Sequence, residues 1–458
     1  MEIFLLLISV AAVTIIGWNC LYLLSFKGER LYPVEGICVS YGLGAGLVTL
    51  EMFCFYFFNI KYTIQGILMP WLLLILANLI LYIRRDKKSF TSDRVEAKGG
   101  NRALGYFLIF CLAAEVAFTF FRAMVKPIEA YDAIAIYGIK SKIFYLAGSI
   151  PQDYFSSLAR AFPHPDYPLN IPLFETYIYI FLGNLNDQLV KIIFPVYYAA
   201  ILGVFYYAVR RFAGRTYALI FTFIMASVSQ FSSYAANAYL DLPLTYYYFT
   251  SAVLLFSWFR DTRRTSYLVI SAFMTALAGW TKNEGLMYCL INFIVVAVFL
   301  ALNFKKVKKR EILLAGLFVL TVIIMLFPFF LVRSAAHLVN TDVESGGAGP
   351  AYIIRQFYKL GPILYEFQKE FFGPKKWNIL WPMIALTLIF RFRRAFRGIQ
   401  KYASLSIAMA VLGYVTVYMV SRLDTSFFVA KTWSRFLIHF MPLAVYWLAM
   451  MLKEDIEL

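Results

Sequence analysis

Apolar stretches close to the roughly 20 residues that cross a bilayer as a helix recur along the whole of this chain. They fall at 3–24, 37–59, 66–83, 104–122, 188–209, 216–231, 241–259, 266–281, 285–303, 312–332, 377–391, 403–420 and 436–452. Backbone in hydrocarbon must satisfy its own hydrogen bonds, so runs of this length read as helices. The expectation is an all-α polytopic membrane protein, a single transmembrane domain over residues 1–458 with about 13 transmembrane helices. Composition agrees, since only 15% of the 458 residues are charged against about 25% in an average soluble domain. Residues 3–24 lack a basic leader and a small-residue cleavage site, and read as a retained span.

The net charge of +17 suggests a phosphate backbone as partner, but its distribution excludes nucleic acid. Lys and Arg gather in short connectors between alternate spans: Arg84 to Lys88, Arg210-Arg211, Arg260 with Arg263-Arg264, Lys305 to Arg310, and Arg391 to Lys401. With Lys27, Arg30 and Lys453, and with Arg94, Lys98, Arg102 and Arg215, the basic connectors hold 26 of the 43 Lys and Arg. Placing them in the cytoplasm sets the N-terminus outside and the C-terminus inside. Two long external segments follow, 123–187 and 333–376. The second contains the Gly-rich tip Ser345-Gly346-Gly347-Ala348-Gly349. Segment 86–102 is a polar cytoplasmic connector. The five cysteines lie in or beside apolar runs without CxxC spacing, and read as small buried hydrophobes.

Several charged residues share the external side. In 129–145 the apolar residues Tyr131, Ile134, Ile139, Ile143 and Leu146 recur at helical spacing around Asp132, Lys140 and Lys142. Such a segment suits an interfacial helix, and a carboxylate held there can act as a general base. Three prolines in Pro163-His164-Pro165-Asp166-Tyr167-Pro168 fix an extended turn before the apolar run 171–182. His164 and Asp166 there either line a site or belong to a rigid loop. Asp241, just before Leu242-Pro243, either caps a helix or faces the same vestibule. Lys282 is the sole basic residue between Arg264 and Lys305. It suits a lipid phosphate, or snorkels with Glu284 as its partner. Arg422 and Arg435 reach the external mouth, as phosphate ligands or as interface anchors. Glu51 and Glu115 lie within spans, where ionisable groups are commonly functional; they motivate an alternative reading, a transporter or flippase of lipid-linked sugars.

Taken in order, Asp132, His164-Pro165-Asp166-Tyr167-Pro168, Leu240-Asp241-Leu242-Pro243, Thr281-Lys282 and Ser434-Arg435-Phe436 with Pro442 resemble the GT-C superfamily of polytopic glycosyltransferases. The likeness is greatest to the family 39 type, which includes protein mannosyltransferases and the aminoarabinose transferase of lipid A. Two features depart from that family: three spans precede the first large loop beyond the usual one, and Lys282-Asn283-Glu284-Gly285 stands where Lys-Gly-Pro is usual. The resemblance implies inverting transfer of a sugar from a polyprenyl-phosphate donor to a hydroxyl of a glycan, lipid or protein acceptor. In that reading Asp132 and Asp241 are catalytic, and Lys282, Arg435 and Arg422 bind the donor phosphate. Glu129, Lys140, His164, Asp166, Tyr167 and Glu284 bind substrate. No cofactor and no obligatory divalent metal are expected. The place implied is a bacterial cell membrane, among membrane lipids, with the site on the external face.

Overall fold

The computed structural model describes residues 1–25, 31–84, 101–157, 164–340 and 349–453. The connector after Arg84, the segment 158–163 and the Gly-rich tip lie largely outside these. Four long helices open the chain: α1 (Glu2–Leu24), α2 (Pro33–Phe57), α3 (Ile64–Arg84) and α4 (Arg102–Val125). A π-helical turn, Ala133–Gly138, leads into α5 (Ile139–Ala147), and α6 (Asn170–Leu182) follows. The central block comprises α7 (Ile193–Ala213), α8 (Arg215–Ala226), α9 (Ser229–Tyr234), α10 (Asp241–Arg260), α11 (Thr265–Thr281), α12 (Asn283–Leu302) and α13 (Lys309–Ala335). Short helices α14 (Pro350–Arg355), α15 (Leu360–Phe371) and α16 (Pro374–Trp377) precede α17 (Leu380–Phe390), α18 (Phe392–Ala395), α19 (Gln400–Val420) and α20 (Thr425–Leu452).

Every apolar run marked in the sequence is mostly helical, and the described residues contain no strand. This is an all-α polytopic membrane protein. Eight helices are long and apolar enough to cross a membrane alone. The run 216–231 instead breaks between α8 and α9, and α17 has only 11 residues. Run 171–182, too short to span, becomes α6 and is buried along nearly its whole length.

The core is built around α10, whose side chains are almost all buried between α7, α11 and α20. Two of its three tyrosines tolerate burial because their hydroxyls find backbone acceptors. Tyr246 donates to the Cys38 carbonyl at 2.7 Å and Tyr247 to the Gly42 carbonyl at 2.8 Å. Small residues permit the closest crossing, since a Cβ added at Gly17 or Gly44 would lie 1.8 Å from a carbonyl of the facing helix. Close backbone approach of this kind supplies packing where lipid removes the hydrophobic driving force.

Helix ends sort onto two faces. On one, Asn184 donates to Glu2, Lys61 to the Ala147 carbonyl, Lys191 to the Lys126 carbonyl and Ser229 to the Lys375 carbonyl. On the other, Glu35 meets Arg211, Arg310 meets Thr265, and Arg391 reaches the Met451 carbonyl. The described basic connectors all belong to this second face, and the charged residues singled out between spans belong to the first.

Candidate active site

Three helix ends meet on the first face. Asp241 opens α10, one residue past the N-cap Leu240. Lys282 sits in the turn between α11 and α12. That turn is tight because a Cβ at Gly285 would lie 1.8 Å from the Ala278 carbonyl. The third element is α20, capped by Asp424 accepting from the Phe427 N–H at 2.8 Å. Within it, Pro442 cannot donate to the carbonyl four residues back. The Thr245 hydroxyl lies 3.2 Å from that freed Ile438 oxygen, which locks α10 to α20 beside Asp241.

Asp241 is fully buried, and its two oxygens hold three donors. Oδ1 accepts from Lys282 Nζ at 3.1 Å and from His439 Nε2 at 2.8 Å, and Oδ2 accepts from Arg435 Nη2 at 3.1 Å. Arg435 Nη1 reaches Asp132 Oδ2 at 2.6 Å, and Lys282 reaches Glu284 Oε1 at 2.8 Å. Side-chain exposure rises from 0% at Asp241 through 16% at Arg435 to 22% at Asp132 and Glu284, so the network opens outward at its acidic ends. Burial opposes the charge on Lys282, but Asp241 and then Glu284 outweigh it and hold the ammonium above the usual lysine range. The Arg435 guanidinium also lies over the Tyr239 ring at 4.5 Å.

Behind the carboxylate runs a neutral chain. Tyr288 and Tyr414 hydroxyls are 3.0 Å apart, and Tyr414 contacts His439 Nδ1. A neutral ring that donates Nε2–H to Asp241 accepts at Nδ1 from Tyr414. The Tyr414 contact thereby selects the tautomer that serves Asp241.

Asp132 is carried by the helix foreseen in the first large loop. Tyr131, Ile134 and Leu146 are exposed, as an interfacial face requires, and Ala133, Tyr137, Lys140 and Phe144 are buried. The π-helical turn immediately after Asp132 resets the register between these two sets. Tyr137 is buried there, its ring centre 6.5 Å from that of Tyr167 and within electrostatic reach of Arg435, Asp241, Glu284 and Asp132.

A second cluster lies alongside. Buried Lys140 donates to the His164 carbonyl at 2.8 Å and sits 5.4 Å from the Tyr167 ring centre. His164, with φ of +51°, stacks on Tyr167 at 4.8 Å. Asn283 donates to Asp166 at 3.2 Å, which ties this loop to the turn of Lys282. Burial pushes the Lys140 ammonium down to about 7, and Asp166 pulls against that shift. The Asp166 carboxyl is raised, chiefly by burial.

Two of the residues expected here lie elsewhere. Glu129 is exposed and pairs with Lys126 at 3.3 Å. Arg422 is exposed on the loop before α20, outside the ion pairs of Asp241. Glu129 lies three positions before Asp132, in the non-helical stretch that precedes the helix carrying Asp132. Glu51 accepts from the Trp71 indole on α3, and Glu115 lies part-buried on α4. His439, Tyr414 and Tyr239 belong to the site without standing out in the sequence. His439 had a signal, since it follows Arg435 by four residues and so shares its helix face. The cysteines are free thiols. Among the described residues no group of three or more His, Cys, Asp and Glu is placed to hold a metal ion.

Residues 166–328 match the family model described as dolichyl-phosphate-mannose-protein mannosyltransferase, a stretch that includes Asp241 and Lys282 but neither Asp132 nor Arg435. No curated protein sequence matches the chain. Among solved structures the fold is similar to that of ArnT from Cupriavidus metallidurans in the apo state. The TM-score is 0.52 at 17% identity, covering 77% of this chain and 60% of that one. It is also similar to ArnT from the same organism bound to undecaprenyl phosphate, with a TM-score of 0.54 at 16% identity over 76% and 60%. The chain thus spans about 60% of the length of the solved structures it matches. The chain is similar in fold to ArnT, and its residues 166–328 match the mannosyltransferase family model.

Proposed function

We propose that this protein is a membrane glycosyltransferase that moves a sugar from a polyprenyl-phosphate donor to an acceptor hydroxyl, with inversion. The observation that carries the reading is the convergence of Asp132, Asp241, Lys282 and Arg435, from four separate elements, into one network open at one face. The mannosyltransferase-like stretch supports the reaction class, and the undecaprenyl phosphate bound by ArnT supports the donor class.

The network suggests an order of events. In this state Arg435 occupies one oxygen of Asp132 at 2.6 Å, which blocks it as a base. A donor phosphate entering beside Lys282 and Arg435 competes for those cations, because charge-assisted bonds to phosphate match guanidinium geometry. Arg435 then turns to the phosphate and releases Asp132. Asp132 takes the acceptor proton, the acceptor oxygen attacks the anomeric carbon from the face opposite the phosphate, and the carbon–oxygen bond to phosphate breaks. The bonding pair leaves with the phosphate, where Lys282 and Arg435 stabilise the growing charge as fixed cations. Asp241, held by three donors, keeps them aimed. Because those side chains supply the positive charge, the reaction needs no divalent metal.

The basic connectors mark the opposite face as cytoplasmic. The network then lies outside, among the external segments 123–187 and 333–376, in a bacterial cell membrane. A panel of labelled polyprenyl-phosphate sugars in membranes, with and without excess chelator, tests all of this. Label moving into product with one donor class, unaffected by chelator, is the expected result. Labelled lipid crossing the bilayer without transfer would favour the flippase instead, and loss of transfer in chelator restored by one metal would overturn metal independence.

A further inference from the structure

Lys282 is the one residue that interrupts the helix between α11, which ends at Thr281, and α12, which begins at Asn283. Its backbone is extended, with φ of −158° and ψ of 155°. Where its ammonium points therefore depends on how its two neighbours are held. Both are held by the segment 164–170. Asn170 Nδ2 donates to Thr281 Oγ1 at 2.9 Å, and Asp166 accepts from Asn283 Nδ2 at 3.2 Å. Lys282 is flanked on both sides by contacts from one short piece of chain.

That segment is itself anchored near both ends. Lys140 donates to the His164 carbonyl at 2.8 Å. At the other end the Thr49 hydroxyl of α2 donates to Asn170 Oδ1 at 2.7 Å and accepts from Trp280 Nε1 at 3.1 Å. Trp280 immediately precedes Thr281, so the chain Trp280, Thr49, Asn170 and Thr281 closes into a ring among α2, α6 and α11. All four side chains are fully buried. Polar groups in such a place cost stability unless bonded, and a satisfied ring of them is stiff and specifies one arrangement. What this ring fixes is the backbone on which Lys282 stands.

We infer that the segment 164–170 is a positioning clamp for Lys282, in which Asn170, Asp166 and Thr49 act through the backbone beside that cation and not on substrate. The inference rests on the reading of Lys282 as the cation that meets the donor phosphate. Misplacing a working group by about 1 Å costs up to about 100-fold, which gives a remote hydroxyl on α2 a measurable effect on phosphate binding.

The test is binding of undecaprenyl phosphate to the purified full chain in phosphatidylcholine nanodiscs, run as a double-mutant cycle. Lys282→Gln should weaken binding about tenfold or more. Asn170→Ala should weaken it about fivefold or more in wild type, but less than about twofold when Lys282→Gln is already present. A side chain that only supports the fold loses the same factor in both backgrounds, so additive losses would overturn the clamp. Thr49→Val removes the hydroxyl at nearly constant volume and should weaken binding about threefold or more. Thr49→Ser keeps the hydroxyl and should stay within about twofold of wild type. Equal effects of these two would also overturn the clamp, and the pair carries the test if Asn170→Ala does not fold. So would the absence of binding by wild type. Sugar transfer is read on the same preparations. No transfer with any donor, beside a coupled binding cycle, would sink the glycosyltransferase reading and leave the clamp standing. Transfer beside additive binding losses would do the reverse.

Discussion

Two buried arginine–carboxylate contacts sit at opposite ends of the bundle and are built differently. On the basic face, one nitrogen of Arg211 meets both oxygens of Glu35 at 2.6 Å, a closed pair joining α2 to α7. On the other face, Arg435 is divided between Asp241 and Asp132, Asp241 is divided among Arg435, Lys282 and His439, and the outer carboxylates are partly exposed. In the closed pair a single nitrogen takes both carboxylate oxygens, so Glu35 shares its charge with no second cation. The divided network can exchange one partner for an incoming phosphate while the rest hold position. Burial and ion pairing alone do not separate a structural contact from a working one; the division of partners does.

Substitution at the hub should have the largest effect. Asp241→Asn leaves Lys282 and Arg435 short of a buried counter-charge, a loss of about 3–5 kcal/mol in comparable pairs. It should abolish transfer and lower the melting temperature together. Glu35→Gln should cost a similar amount of stability but leave turnover per folded molecule unchanged. Replacing both Glu35 and Arg211 by leucine should recover most of that stability, because an apolar pair avoids the desolvation of a buried ion pair. If Glu35→Gln also reduced turnover in folded protein, the distinction between the two contacts would fail. Lys282→Gln removes one cation and should raise the KM for donor about tenfold or more, the worth of a charged hydrogen bond, as read from initial rates over a donor series.

Smallest of these effects is a pH dependence beside the network. Lys140 is held at about 7 by burial, below its unfolded value of about 10.4. The penalty for burying its charge is full below about 7 and eases as pH rises towards the unfolded value. Wild type should therefore gain thermal stability between pH 7 and 9 relative to Lys140→Met. Parallel curves for the two proteins would show that Lys140 does not titrate there.

Hydropathy and the placement of Lys and Arg are local properties, which is why the helices and their two faces could be read from residues alone. Asp241 and Lys282 were legible for the same reason, as charges stranded at the ends of otherwise uncharged spans. His439 was not, because it lies inside the apolar run 436–452 and reads as core. Its role comes from packing of α20 on α10, across 198 residues of sequence. Arg422 and Arg435 looked alike in sequence, but only the second lies within α20 on the buried face. Glu129 and Asp132 stand three positions apart, and what separates them is that Glu129 precedes the helix that carries Asp132. The break of run 216–231 into α8 and α9 was hidden because hydropathy continues across it.

The central claim is that Asp132, released by Arg435, removes the acceptor proton. Its most direct test compares sugar transfer by wild type and Asp132→Asn at saturating donor and acceptor, with melting temperatures recorded alongside. Loss of a positioned base should lower turnover about 100- to 10,000-fold, with little change in stability because Asp132 is an outer member of the network. Wild-type turnover by Asp132→Asn would remove Asp132 as the base and contradict the account.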